Sequence, residues 1–288
     1  MLLSDNALTN RSLSYSHKKA MIGKDTNETL LGVVATLAQP RWHEYAAYCR
    51  ARESGLRHAA FKHLSVFVRS IKLASLEEQR TLVNWICERL LEAGPDGTPL
   101  APEPLLTQFV LPALNEWATQ EPQSAIPIRW HGVLISRQGY AGMRCGLHAP
   151  DQKAQELLRQ ALRLDPQDQI ARVRLAECLI GILDFHAHHL PEAYLGEPEA
   201  DLHIVEEAEA LIADLLDPKQ TTRLRGELQN ARQLLEDWID SLAAKVDFAA
   251  WRFRQGRPVS SINRVYVYDP KKKSESVHFL VSTSSRRE

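Results

Sequence analysis

The chain has 288 residues, enough to bury a sizeable core as one large domain or two modest ones, so folding requires neither disulfides nor a structural metal. Hydrophobic residues make up 44% and charged residues 25%, with only 13 glycines, a balance that favours helices over a turn-rich β architecture. Lys plus Arg (35) against Asp plus Glu (36) leaves a formal net charge of −1, which argues against a general nucleic-acid binder, because such domains carry a clear basic excess.

Residues 1–20 are rich in Ser and Asn and lack the apolar run of a signal peptide or membrane span. A disordered arm over 1–25 is expected, with Met21 as an alternative start. From Thr26 the pattern turns helical, with Leu30, Leu31, Val34 and Leu37 at spacings of three and four until Pro40. A second helix over 41–52 carries Trp42, Tyr45, Ala46 and Cys49, and Gly55 ends it. The third places Leu56, Ala60, Leu64, Phe67, Val68 and Ile71 on one face. Ser75 and Glu78 then form a capping-box pattern opening a fourth helix with Leu82, Trp85, Ile86, Leu90 and Leu91. The Pro/Gly-rich stretch 94–104 marks a soft boundary. A helix over 103–119 follows, with Pro112 expected to kink it, and 120–127 reads as a polar connection.

Between Ile128 and Pro218, Ala141-Gly142 supplies a small pair on a first helix, and Ala154, Leu158, Ala161 and Pro166 follow at the spacing of a second. Leu175, Ala176 and Leu179 restart the pattern, which ends again at Pro218. This stretch resembles tetratricopeptide repeats, pairs of antiparallel helices stacked on their neighbours. The resemblance covers about a third of the chain. The first helix lacks the usual Trp and Tyr, and Glu206 stands where a small residue belongs. An ordinary helical bundle is the competing reading, and both give an all-α fold. The two Asp-Pro endings are more than one repeat apart, so 188–200 reads as an insertion, a common place for function. A long helix to about Arg254, with Leu224, Leu228, Ala231, Leu235, Trp238, Ile239 and Leu242 along one stripe, would cap the stack. Residues 264–268 and 277–281 are β-prone and predict a C-terminal hairpin with a basic tip. The expected organisation is an arm (1–25), a helical bundle (26–119), a tetratricopeptide-like region with its capping helix (128–255) and a tail (256–288).

Cys49, Cys87, Cys145 and Cys178 are scattered singly and read as reduced core residues of a cytoplasmic protein. No phosphate-binding glycine loop, nucleophile elbow or HExxH pair is found. Asp184 and His188 share a helix face, with His203 the nearest third ligand, but two ligands fall short of a metal site and helix-end histidines are the plainer reading. No cofactor, metal or catalytic residue is therefore expected. Residues 191–218 carry nine acidic side chains and no Lys or Arg. Such a run is either a solvated helix face or a docking surface for a basic partner, whose encounter a negative field speeds. The basic tail, including Arg252, Arg254, Arg257, Lys271–Lys273, Arg286 and Arg287, reads as solvated; neither direct nucleic-acid nor membrane binding is expected. Candidate partner-binding residues are Glu197, Glu199, Asp201, Glu206, Glu207 and Glu209, with Arg129 and Trp130, which fit either core or interface.

A helical repeat scaffold implies macromolecular binding by analogy of fold. The chain also resembles the immunity proteins with which bacteria neutralise toxins of their own secretion systems, the type VI system among them. That resemblance implies a cognate basic toxin, such as a nuclease, bound through the acidic run. The alternatives are an adaptor or secretion chaperone and, in another class, an enzyme with an unrecognised helical active site.

Overall fold

The structure, a computed structural model, describes residues 42–93, 100–143, 152–257, 259–261, 264–269 and 274–278, with the side chains of 93 and 137–143 and of the strands left aside. The expected arm, the helix from Thr26, Cys145 and the lysines of the hairpin tip lie outside the described residues, and the side chains of Ala141 and Gly142 are likewise not described. The chain divides into two compact units, Met1–Trp130 and His131–Glu288. Helices dominate both, so the fold is all-α, and among the described residues no helix is long and apolar enough to cross a membrane.

In the first unit α1 (His43–Glu53) packs on α2 (Arg57–Ile71), and α3 (Leu76–Ala93) packs on α5 (Leu111–Gln120). Gly55, at φ +74°, makes the turn between α1 and α2 in a conformation that a side chain disfavours. Leu56, expected on the buried face of α2, instead precedes that helix and is 59% exposed. Ala60, Leu64, Phe67, Val68 and Ile71 form the buried face. Ser75 Oγ accepts from Glu78 N at 3.3 Å, capping α3 as its sequence pattern requires. The core is aromatic: Tyr45 lies against Tyr48, Phe67 and Trp85, and Trp42 against Trp85. The buried rings among these, Trp42, Tyr45, Tyr48 and Phe67, contribute about 1.5–3 kcal/mol each of transfer free energy.

Pro112 disturbs its helix just upstream of itself. The short α4 (Glu103–Leu105) runs into a π-helical turn, Leu106–Val110, before α5 resumes. Pro112 has no N–H for the carbonyl four residues back, and its ring crowds that carbonyl; a wider turn relieves both problems. The expected connection over 120–127 is shorter than predicted. Helix α6 (Ala125–Met143) starts early because Pro127 stands in the first turn, where backbone N–H groups have no helical partner.

In the second unit α7 (Gln152–Leu164) packs on α8 (Gln169–Ala187), α9 (Pro198–Ala213) on α8, and α10 (Pro218–Ala244) on both α8 and α9. Ala154, Leu158, Ala161, Leu175, Ala176 and Leu179 are all buried. Gly132 of α6 faces α7 so closely that a Cβ would lie 2.9 Å from Leu158 Cγ and 3.3 Å from Ala154 O. The close helix crossing seen among the described side chains is therefore at Gly132.

The expected single helix to Arg254 is two. Lys245 adopts φ +52° and ψ +41°, its N–H bonding to Leu242 O and that of Val246 to Ser241 O, which closes α10. Asp247 then accepts from Ala250 N and starts α11 (Phe248–Arg254). Leu242, at the end of the predicted stripe, is 55% exposed, whereas Leu224, Leu228, Ala231 and Leu235 are buried. The tail forms an antiparallel sheet in the order β1 (Val259–Ser261), β2 (Arg264–Asp269), β3 (Ser274–His278), with Tyr266 opposite Val277. Its third strand begins three residues earlier than the expected run at Val277, and α11 packs beside β1 and β2.

Candidate functional site

The insertion between α8 and α9 is a docked loop. Leu190, joined to Pro191 by a cis peptide, is buried with Phe248 and Ala249, and Tyr194 stacks on Trp238 of α10. Leu195 N donates to His186 O at 2.8 Å, tying the loop to the last turn of α8. Beneath it Asp201 Oδ2 accepts from Tyr194 OH at 2.6 Å and lies 2.7 Å from His186 Nδ1. Burial and the Asp201 carboxylate together hold the Tyr194 phenol well above its usual range. Gly196 covers this cluster, and a Cβ there would fall 2.2 Å from Asp201 Oδ2 and 2.3 Å from His186 Nδ1.

The acidic run separates into internal and external carboxylates. Asp201 is 1% exposed and spent on His186 and Tyr194, which corrects its assignment as a surface docking group. Glu207 makes a two-pronged pair with Arg159 of α7 at 2.7 and 2.8 Å. Glu209 pairs with Arg232 of α10 at 2.6 Å, and Asp214 with Arg172 of α8 at 2.5 Å. Asp217 accepts from Lys219 N and caps α10. Glu197 and Glu199 are exposed and have no partner among the described residues, while Glu206 meets only the exposed His203 at 3.2 Å. Helical spacing places Glu199, His203, Glu206, Ala210 and Ala213 along one exposed strip of α9. Leu195 (47% exposed) precedes that helix and Leu216 (79% exposed) follows it.

Arg129 and Trp130 belong to the first unit. Trp130 is completely buried and donates from Nε1 to Asn84 Oδ1 at 2.7 Å, so it is a core residue and not an interface one. The Arg129 guanidinium lies 4.2 Å from the Trp130 ring centroid, and Arg129 is half-buried. Among the described residues no group of three or more His, Cys, Asp or Glu is placed to hold a metal ion. The His188 ring lies against Phe185 and His189, with Nδ1 at Phe185 O, and His203 is engaged with Glu206. Burial raises the Cys49 thiol to about 12 and the Cys178 thiol to about 11, the opposite of an activated nucleophile.

Tyr194, Gly196 and the three arginines that hold α9 carry no local sequence signature. Each arginine sits 23 to 48 positions from its acidic partner. No protein-family model matches the chain, and comparison with curated proteins and with solved structures finds no significant match.

Proposed function

We propose that the chain is a protein-binding helical scaffold, acting as an immunity protein that neutralises a basic secreted toxin through the exposed strip of α9. The observation that carries this reading is the set of three carboxylates, Glu197, Glu199 and Glu206, left without Lys or Arg partners among the described residues beside internal pairs that neutralise Glu207, Glu209 and Asp214. Uncompensated charge on a rigid helix steers a cationic partner and rejects anionic ones. Leu195 and Leu216 offer apolar contact at either end of the strip, where a partner would desolvate them. Pairs of helices stacked as tetratricopeptide-like units would supply the rigid support.

The test is affinity purification of the tagged full chain from its native cells, with mass spectrometry of what is retained. A companion variant carries Lys at Glu197, Glu199 and Glu206. Glu207 and Glu209 are left intact because reversing them would break contacts inside the unit. Recovery of one basic protein, lost in the variant and inhibited by the wild-type chain in a toxicity assay, is the expected result. Equal recovery by both, or no inhibition, contradicts the reading.

A further inference from the structure

Charge is segregated on this chain in a second place. Residues 54–76 contain Arg57, Lys62, Arg69 and Lys72 and no Asp or Glu. All four are exposed, and none has an acidic partner among the described residues: Arg57 lies over the Phe61 ring and Arg69 Nε donates to Ser65 O. Lys62 and Arg69 lie seven positions apart on the outer side of α2, opposite its buried face of Ala60, Leu64, Phe67 and Ile71. The exposed Val66 (36%) shares that side, and the exposed Leu73 (88%) follows just past the helix end.

The spacing matches that of α9, where Glu199 and Glu206 are also seven positions apart on an exposed strip. Seven residues are two turns, so each helix presents two like charges roughly 10 Å apart along its axis. Beyond the acids α9 offers Ala210 and Ala213, small residues that let another helix approach closely.

We propose that the basic strip of α2 docks on the acidic strip of α9 of a second copy of this chain, pairing Lys62 and Arg69 with Glu199 and Glu206. Two unneutralised strips of opposite sign and equal pitch are mutually complementary, and the net charge of −1 leaves little overall repulsion between copies. Val66 and Leu73 add apolar area at the contact. The contact involves unlike surfaces, so it generates a ring or an open chain of copies unless both strips of each copy engage the same neighbour. It does not depend on the toxin reading, although both use α9, and a toxin seated there would displace the second copy.

Sedimentation velocity on the purified full chain, without any toxin, tests this. In about 50 mM salt the wild type associates with rising concentration, and in about 500 mM salt, where screening acts within a few ångströms, it is monomeric. K62E/R69E and E199K/E206K, all at exposed positions, each weaken self-association at least about tenfold. Mixing the two variants restores it, because each then carries the strip that complements the other. Loss of folding cannot imitate that rescue. A wild type that stays monomeric at low salt overturns the proposal, as does association that neither variant changes or that the mixture fails to restore. A monomer whose α2 strip instead retains nucleic acid or anionic vesicles also overturns it. None of these failures bears on toxin binding, which is measured with a different molecule.

Discussion

Asp201 and Glu199 stand two residues apart in one helix with opposite fates. Asp201 is enclosed by His186, Tyr194 and Gly196, whereas Glu199 points to solvent without a partner among the described residues. Replacing Asp201 with Ala removes the partner of the half-buried His186 and Tyr194 and should cost about 2 kcal/mol, read as a lowered urea midpoint. Glu199→Lys, exposed in the first turn of α9, should cost no more than about 1 kcal/mol by the same measurement. Gly196→Ala must push its new methyl group into Asp201 and His186, and is expected to cost about 1–3 kcal/mol; a variant as stable as wild type would show that the loop yields to the added methyl. His131 sets a pH dependence. Burial and, secondarily, Lys153 lower its pKa from 6.5. As pH falls below 6.5 the unfolded chain takes up a proton that the folded chain resists, so this group removes stability on acidification, fully so below its folded pKa. His131→Gln should blunt the loss of unfolding midpoint between about pH 7.5 and 5.5; an unchanged acid slope would rule the group out as its source.

At the scale of elements, the joints follow local chemistry. Lys245 holds a left-handed conformation that glycine adopts without strain, so Lys245→Gly should raise stability by about 1 kcal/mol, measured by thermal unfolding. A decrease would show that the Lys245 side chain contributes contacts of its own. The helices of the first unit were legible because their apolar residues recur at helical spacing and their ends are marked by Gly55 and Ser75. The break at Lys245 was not, since neither Lys245 nor Val246 is a common stop signal and the apolar stripe continues as far as Leu242. Trp130 stayed open between core and interface, and Asp201 was assigned to the surface, for one reason: whether a residue is spent internally depends on partners such as Asn84 and His186, which lie 46 and 15 positions away and leave no periodic trace. Glu207 and Glu209 show the same limit, since the acidic run was visible while Arg159 and Arg232 were not identifiable as its partners.

Across the molecule, near-neutral net charge conceals strong local fields. Of the nine carboxylates in the run, Asp201, Glu207, Glu209 and Asp214 hold α9 to α7, α8 and α10, while Glu197, Glu199 and Glu206 face outward. Arginine clamps of this partly exposed kind contribute about 0.2–1 kcal/mol each, so their larger consequence is to fix which acids face outward. On the function proposed above, these outward acids bind a basic protein. Its most direct test is calorimetric titration of the wild-type chain and of E197K/E199K/E206K with the basic protein recovered from native cells. The expected result is salt-sensitive binding that weakens at least about a hundredfold in a variant that still unfolds cooperatively. Equal affinity for both chains, or binding indifferent to salt, would contradict it.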